Sequence, residues 1–412
     1  MAKKQKKATP KRAPTKHQLS KWQRQTKIRR VVIIAAIVFL AGILSWVGYA
    51  YYKDNIAPSR EVVIKVNDAS FSMGYFVKML DSYTAGMNYT EIYSYGSYIA
   101  NMVADEIINA ELSRQGAKNL DIEVTTEEID TKLEEYELPN DMVYRDRIRA
   151  ELLQEKLEEY FNSQLPNMME QAHVQAMLVE SEEVADEVIT EIEAGGNFTA
   201  LAEEFSCSSS IEGDLGWLPE ELMPNTLIAD AAFNLTPGQI SQPIYDGNAT
   251  KNIGYWLIEV TSAQNQTIDA QVMLLPSEAR AQQIRGELAA GGNFSALAGN
   301  YSQHESKSEG GKLDGLEQGD MGSIAFDHVA FNITPNTVSE PVKDTSVQTT
   351  GGCWLVKVVD KGDHELEETV KEELRDKHLN DWSEELQEDS TIENLLDTDK
   401  ISWALDRILQ GR

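Results

Sequence analysis

The sequence is poor in cysteine and histidine, the residue types on which most metal sites and much covalent catalysis depend. Cys207 and Cys353 lie far apart in the chain, and neither has a second cysteine at the spacing of a redox or metal-binding motif. There is also no phosphate-cradling glycine loop and no serine, histidine and aspartate arrangement of the hydrolase type. The sequence therefore predicts no disulfide framework, no metal and no cofactor, and it gives no support for a hydrolase, a kinase or a metalloenzyme.

Acidic residues are missing from the first 30 positions, which carry twelve Lys or Arg residues. The formal net charge of −30 thus combines +12 in this tail with −42 in the rest of the chain. Residues 31–52 are uncharged, and about 20 apolar residues suffice for a helix to cross the hydrocarbon core. Since Lys and Arg mark the cytoplasmic flank, the sequence predicts a cytoplasmic tail at 1–30, a single transmembrane helix at 31–52 and an extracytoplasmic remainder.

A cleaved signal peptide is the alternative for this segment, because Gly48-Tyr49-Ala50 imitates a small-x-small cleavage site. Signal peptides, however, have apolar regions of only about 7 to 15 residues, so we favour an uncleaved anchor in the cell membrane. The acidic exterior argues against a nucleic-acid partner. It fits either a well-solvated surface or the attraction of cationic unfolded chains.

Residues 60–166 have the pattern of a helical domain that begins with a strand at 62–67. Apolar side chains recur every four residues at Ile99, Val103 and Ile107, and Thr125 with Glu128 forms a capping-box motif ahead of the next helix. The C-terminal segment 363–412 has apolar stripes of the same kind, for example Leu366, Val370 and Leu374. Because both stretches need a partner surface, we expect 363–412 to complete the 60–166 domain.

An internal repeat lies between these helical parts. The segment 195–202 recurs at 291–298, and 233–237 recurs at 331–335, at offsets of 96 and 98 residues. The repeat predicts two homologous α+β modules, at 168–264 and 265–362. Each begins with a strand, at 174–179 and 271–275, and ends with a closing strand, at 255–260 and 353–359.

The modules resemble the parvulin (PpiC, rotamase) family of peptidyl-prolyl isomerases. The first copy carries the family's G-x-[ND]-F-x-x-L-A-x-x-[FY]-S motif at 195–206, a Gly-Asp-Leu-Gly-Trp turn at 213–217 and a Gly-Tyr pair opening its closing strand. The second copy is looser at the turn, 311–315, so the first is expected to be the more active of the two. The flanking helical domain is similar to the chaperone domain of SurA-type foldases, and PrsA-type foldases share this organisation.

The resemblance implies an apolar pocket for the proline ring in each module. Its positions fall on apolar residues in both copies, namely Leu215, Met223 and Ile228 in the first and Leu313, Met321 and Phe326 in the second. Ordinary core packing is the alternative role for these side chains.

The sequence departs from the family where active members carry histidines. The first-strand positions hold Ala176 and Val272, and the last-strand positions hold Trp256 and Trp354. The loop position that carries Cys or Asp in the family falls near Cys207 or Ser208 in the first module and near His304 in the second, and Cys207 and His304 are the residues there with catalytic side chains. These two are the catalytic candidates, although an inert thiol and a solvated histidine are the simpler interpretations.

Each tryptophan either fills the core that the lost histidine network left or serves as a platform for extended peptide. The sequence thus predicts an α+β protein with one transmembrane helix, a helical SurA-like domain and two tandem parvulin-like modules. Its expected function is a membrane-anchored, extracytoplasmic isomerase and chaperone for unfolded exported polypeptides with X-Pro bonds. A non-catalytic holdase and a surface spacer are the alternatives.

Overall fold

The computed structural model describes residues 16–208, 213–264 and 266–411, with side chains from 27 onward except at position 36. The α-helices in these ranges are α1 (Lys16–Tyr51), α2 (Met73–Tyr83), α3 (Tyr89–Asn119), α4 (Thr126–Glu135), α5 (Met142–Gln164), α6 (Glu182–Glu193), α7 (Phe198–Phe205), α8 (Thr226–Asn234), α9 (Glu278–Ala289), α10 (Phe294–Tyr301), α11 (Ile324–Ala330), α12 (Glu368–Glu388) and α13 (Thr398–Gly411). The strands are β1 (Val62–Val66), β2 (Ala69–Ser72), β3 (Met168–Val179), β4 (Gly213–Leu218), β5 (Ile244–Lys251), β6 (Gly254–Gln264), β7 (Thr267–Leu275), β8 (Lys312–Leu316), β9 (Val342–Asp344), β10 (Thr349–Glu365) and β11 (Ile392–Asn394).

The N-terminal helix α1 contains the uncharged segment. By length and composition, a helical stretch from Lys27 to Arg60 is suited to crossing a membrane, and its most apolar window has no buried residues. A signal sequence near the N-terminus would pass the same test. The basic residues 1–15 of the predicted cytoplasmic tail lie outside the described residues.

The chain folds into two compact units, of which the helical unit comprises the N-terminal part up to Phe161 together with His378–Arg412. Its core is built on α3, where Ile99, Val103 and Ile107 are all buried at the predicted helical spacing. The capping box that starts α4 is present, since Thr125 accepts from the Glu128 amide and Glu128 accepts from the Thr125 amide.

The C-terminal segment forms part of the helical unit. Strand β11 pairs with β1, with Ile64 opposite Asn394, and α13 contributes Ile401 and Ile408 to the core. The two units meet in sequence after Lys377 rather than after residue 362, because Leu366, Val370 and Leu374 at the start of α12 pack on Leu165, Met169 and Leu222.

The sheet unit, Asn162–Lys377, contains two four-stranded antiparallel sheets, in the orders β4-β3-β10-β5 and β8-β7-β6-β9. Helices α6 and α7 cover one face of the first sheet and α8 the other. In the second sheet, α9 and α10 cover one face and α11 the other. We call these two layered structures the first and the second module.

The two modules exchange their closing strands. Strand β10, from the end of the second repeat, pairs with β3 of the first, with Cys353 opposite Val179. Strand β6, from the end of the first repeat, pairs with β7 of the second, with Tyr255 opposite Leu275. The sequence-based expectation that each closing strand would complete its own module is therefore wrong.

The exchange has a local cause. Only positions 265 and 266 separate β6 from β7, so these strands form an antiparallel hairpin, the most local pairing available to them. Strand β3 is then left to pair with β10. The closing strands begin alike, Gly254-Tyr255-Trp256-Leu257 and Gly352-Cys353-Trp354-Leu355, so the side-chain pattern fits either sheet.

Contacts at the junction hold the modules in one unit. The Tyr255 hydroxyl donates to the Glu180 carboxylate at 2.9 Å, which ties β6 to the end of β3. Gln303 makes two hydrogen bonds with the backbone of Thr350, at 2.9 Å and 2.8 Å. The buried Lys251 ammonium donates to the carbonyl oxygens of Glu180 and Gly351. Burial lowers the pKa of Lys251.

Candidate functional sites

The predicted pocket residues of the first module lie together on one face of its sheet. Leu215, on β4, packs against a cluster that contains Met223, Ile228 and Trp354. Asn225 begins α8 by accepting a hydrogen bond from the Ile228 amide at 2.9 Å, and this cap fixes where Ile228 enters the cluster. Ile228 has no exposed surface, whereas Leu215 is partly exposed.

The second module repeats this arrangement with larger side chains. Leu313 and Met321 are partly exposed and pack against a cluster that contains the buried Phe326 and Trp256. The rings of Trp256 and Phe326 meet edge to face with their centroids 5.2 Å apart. Ser323 caps α11 and accepts from the Phe326 amide at 3.0 Å.

The tryptophans change places relative to the sequence-based assignment. Trp354 of the second repeat packs with the predicted pocket residues of the first module, and Trp256 of the first repeat packs with those of the second module. This follows directly from the strand exchange, because both residues are on closing strands. Each pocket therefore contains residues from both repeats.

An aspartate holds each tryptophan, and sequence reasoning missed both aspartates. The Trp354 indole donates to Asp246 at 3.0 Å, and the Trp256 indole donates to Asp344 at 2.9 Å. These aspartates are 98 residues apart, the same offset as other repeated positions. A full alignment of the two copies could have found them, although their neighbours, Tyr245-Asp246-Gly247 and Lys343-Asp344-Thr345, share nothing else.

Asp344 is the centre of a buried polar network. Its exposed fraction is 3%, and it accepts hydrogen bonds from Trp256, from the Ser323 hydroxyl and from the hydroxyl and amide of Ser346. Burial alone raises the pKa of the Asp344 carboxyl, but donation by Ser323, Ser346 and Trp256 outweighs it and lowers the pKa overall. The carboxylate is therefore ionised at neutral pH and ties β9, β6 and the start of α11 together.

His304 lies at the edge of the second pocket. Its ring meets Trp256 edge to face with the centroids 5.3 Å apart, and its Nδ1 is 2.8 Å from the Ser306 hydroxyl. Burial lowers the pKa of the imidazole below its ordinary value, so the ring is neutral at pH 7. The structure thus brings this catalytic candidate to the pocket residues of the second module.

Cys207 is not brought to the first pocket. It packs against the core between the second sheet and helices α9 and α10, a cluster that contains Tyr255 and Met273. Burial, followed by the negative charge of Glu180, raises the pKa of the thiol to about 11. A thiol that stays protonated at neutral pH is a poor nucleophile, so the geometry favours the inert role. Among residues 27–208, 213–264 and 266–411, no group of three potential metal ligands occurs.

The helical unit contains open cavities of its own. The one between α3 and α5 has a volume of about 520 Å³, and its lining includes Tyr83, Tyr136, Tyr144 and Arg147. The Arg147 guanidinium lies 4.4 Å from the centroid of the Tyr83 ring and 5.8 Å from that of Tyr144. Such a cavity combines apolar surface with aromatic faces and charge.

Both units match known protein families. A family described as the PPIC-type PPIASE domain (Rotamase) matches residues 167–262 and 272–360, and the SurA-like N-terminal domain matches residues 19–144. The chain carries two rotamase domains behind a SurA-like domain. The predicted fold class, α+β with a helical SurA-like domain and tandem parvulin-type modules, is thereby confirmed.

SurA and PrsA proteins align with parts of this chain. A chaperone SurA from Hahella chejuensis is 25% identical over 268 residues, which is 59% of this chain and 60% of that protein. A foldase protein PrsA from Halalkalibacterium halodurans is 30% identical over 180 residues, 42% of this chain and 50% of that protein. The chain thus spans about half to three fifths of the length of these two relatives.

Among solved structures, the peptidylprolyl isomerase PrsA from Bacillus cereus aligns over 86% of this chain and 92% of its own. The sequence identity is 13% and the TM-score is 0.26. At that level no residue role is transferred to the rotamase domains described here.

Proposed function

We propose that this protein is a membrane-anchored, extracytoplasmic folding factor that holds unfolded exported polypeptides and binds their X-Pro segments, with weak isomerase activity. One observation carries the proposal. Each rotamase domain has a partly exposed apolar rim packed against an apolar floor with no exposed surface. In the first domain the rim is Leu215 and the floor is Ile228. In the second domain the rim is Leu313 with Met321 and the floor is Phe326. A proline ring is small and apolar and fits such a site.

The chemistry required of the pocket is modest. Rotation about an X-Pro bond faces a barrier of about 18 to 20 kcal/mol because it breaks amide resonance, and the uncatalysed exchange takes tens of seconds or longer. A site that favours the twisted amide over the planar one lowers this barrier without a covalent step. The second pocket offers neutral His304 beside Trp256, so we place any acceleration there, the reverse of the order that the turn motif favours.

Holding without catalysis is the second candidate function, and one specific observation favours it. The four positions where active family members carry histidines, Ala176, Val272, Trp256 and Trp354, lie in the apolar clusters of the pockets with exposed fractions of 0 to 5%. The cavity between α3 and α5 adds a binding surface that needs no catalytic group.

The support for a membrane anchor comes from α1 and from the charges on either side of its apolar segment. A helix of suitable length and hydropathy follows a tail with twelve basic residues, and the chain after it is strongly acidic. This charge difference supports a cytoplasmic N-terminus and an exterior that holds both units.

The full-length protein in detergent should be assayed for cis/trans exchange of an X-Pro peptide and for suppression of aggregation of an unfolded client. We expect clear suppression and a small acceleration. Met321→Lys places a charge at the rim of the second pocket, where burial without a partner is unfavourable, and should abolish the acceleration while leaving suppression intact. Leu215→Lys places the same charge at the partly exposed rim of the first pocket and should have little effect on the rate.

Strong catalysis that survives both substitutions would contradict the pocket assignment. Absence of acceleration in the unmodified protein, with suppression retained, would establish the holdase alternative. If the unmodified protein neither accelerates the exchange nor suppresses aggregation, the proposed function is refuted.

A further inference from the structure

Helix α3 carries an exposed aromatic stripe on the helical face that also lines the cavity between α3 and α5. Tyr95, Tyr98 and Met102 have exposed fractions of 60%, 73% and 40%. Continuing along α3 at steps of three or four residues, the same helical face reaches three residues that line the cavity, Glu106, Asn109 and Ser113. Residues at these steps share one side of a helix, so stripe and cavity form one continuous surface.

We propose that this surface binds an extended, unfolded segment in which arginine or lysine alternates with apolar side chains. The inference rests on the proposed function and names the class of client that the helical unit selects. From Tyr95 to Ser113 the helix rises by about 27 Å, and an extended chain at about 3.3 Å per residue would cover this length with about eight residues.

The tyrosine faces supply the first reason for a cationic client. Arg147 already lies over the Tyr83 ring at 4.4 Å inside the cavity, which shows that these rings accept a guanidinium. Tyr95 and Tyr98 present their rings to solvent on the same surface and offer equivalent positions. Aromatic side chains also bury large apolar area at low entropic cost.

Charge complementarity supplies the second reason. Residues 53–161 and 378–412 of the helical unit contain 31 acidic and 14 basic residues. Glu106 and Glu151 line the cavity together with one cation, Arg147, and Asp105 is exposed next to the stripe. A basic segment is attracted to this surface and an acidic one is repelled, and the attraction weakens with salt because exposed charges are screened.

The chain provides a matched control on the same helix. Tyr89 and Tyr93 have exposed fractions of 67% and 79%, and their rings stack on each other with centroids 6.4 Å apart. Their helical phase differs from that of Tyr95, Tyr98 and Met102, so they lie on another side of α3. Substitutions at either set remove exposed side chains and leave the core untouched.

The experiment uses the full-length protein in detergent and fluorescent peptides of about eight residues. One peptide alternates leucine with arginine, and its counterpart alternates leucine with glutamate. We expect the arginine peptide to bind about tenfold more tightly or better, and Tyr95→Ser/Tyr98→Ser/Met102→Ser to weaken it by about tenfold. Tyr89→Ser/Tyr93→Ser should change its affinity by less than about twofold.

Equal losses in the two variants, or equal affinity for the two peptides, would overturn the inference. In lipid nanodiscs, quenching by brominated lipid that is greater for Tyr98→Trp than for the unmodified protein, whose Trp46 is in the anchor segment, would assign the stripe to the membrane surface and likewise overturn it. Aggregation suppression, measured on the same proteins, distinguishes failure of this inference from failure of the proposed function. If the unmodified protein suppresses aggregation while the stripe variant binds normally, only this inference fails. If the unmodified protein neither suppresses aggregation nor binds peptide, the proposed function fails.

Discussion

The aspartates that hold the two pocket tryptophans have different environments. Asp344 is buried and accepts from three side chains, whereas Asp246 is half-buried and accepts one side-chain hydrogen bond, from Trp354, with backbone amides of its own turn as the remaining donors. When a buried donor is left without its acceptor, the free-energy cost of removing that donor from water is no longer offset by a hydrogen bond. The second pocket therefore depends more strongly on its aspartate than the first.

Asp344→Asn should lower the stability of the sheet unit by about 1 to 3 kcal/mol, because an amide group would face the hydroxyl and indole donors. The matched Asp246→Asn should cost clearly less. Urea unfolding followed by tryptophan fluorescence measures both changes. Equal shifts of the urea midpoint would contradict the difference between the two environments.

The depressed pKa of Asp344 also sets a pH dependence. A carboxyl whose pKa is lower in the folded than in the unfolded state stabilises the fold above the unfolded value, about 3.9, and this contribution is lost as the pH falls through the folded value. The stability difference between the unmodified protein and Asp344→Asn should therefore be constant at neutral pH and shrink below about pH 4.

At this scale the sequence predicted apolar residues that the structure brings together, but it did not predict their polar partners, and the use of these residues as a proline pocket stays a prediction. The apolar positions followed from the resemblance, and in the structure Leu215, Met223 and Ile228 share one cluster. Asp246 and Asp344 were missed because a half-buried aspartate and a buried one look the same within one copy, and only an alignment of the two copies pairs them at the offset of 98 residues. The position of Cys207 depended on which core surrounds its loop, and that is a tertiary property.

The closing strands are the elements whose role the sequence left ambiguous. Local patterns predicted β6 and β10 as strands, and the hydrophobic face of each is correct for a buried sheet position. Their partners were not determined by pattern, because two homologous modules offer each strand two equivalent neighbours. The two-residue connection between β6 and β7 was the available signal for the exchange.

Engineered disulfides can test the exchange directly in a background with Cys207→Ala and Cys353→Ala. Gln175 lies opposite Lys357 in the β3–β10 pair, and Gln271 lies opposite Glu259 in the β6–β7 pair. Residues opposite each other on antiparallel strands are within about 5.5 Å, close enough for a disulfide. Gln175→Cys/Lys357→Cys should therefore crosslink in the folded protein.

The matched control is Gln175→Cys/Glu259→Cys, which would crosslink only if each module kept its own closing strand. Peptide mapping under non-reducing conditions distinguishes the two outcomes. A disulfide in the control pair together with none in the first pair would show that the strands are not exchanged.

At the scale of the whole molecule, composition predicted the organisation well. The contrast between a basic tail, an uncharged segment and an acidic remainder predicts an anchor, for which the structure has one helix of suitable length and composition, and the repeat marks the two modules. The association of 363–412 with the N-terminal helices followed from their unpartnered apolar stripes, although the start of α12 packs in the sheet unit instead. That division depends on three leucine and valine contacts and has no signature in composition.

Protease added outside intact cells should degrade the chain beyond about Lys53 and spare an N-terminal tag on the basic tail. Both parts should be degraded after the membrane is disrupted, which controls for intrinsic resistance. An acidic exterior that stays protected in intact cells would refute the topology.

The exchanged strands also set the order in which the two sheets can close in a chain that is synthesised from its N-terminus. Val179 on β3 must wait for Cys353 on β10, while the second module finds all its strands between residues 254 and 344. Closing the longer loop is entropically less favourable, and an unpaired strand edge attracts other chains in the meantime. All strands of the second module are therefore synthesised before β10, the last strand of the sheet unit, becomes available to close the first sheet.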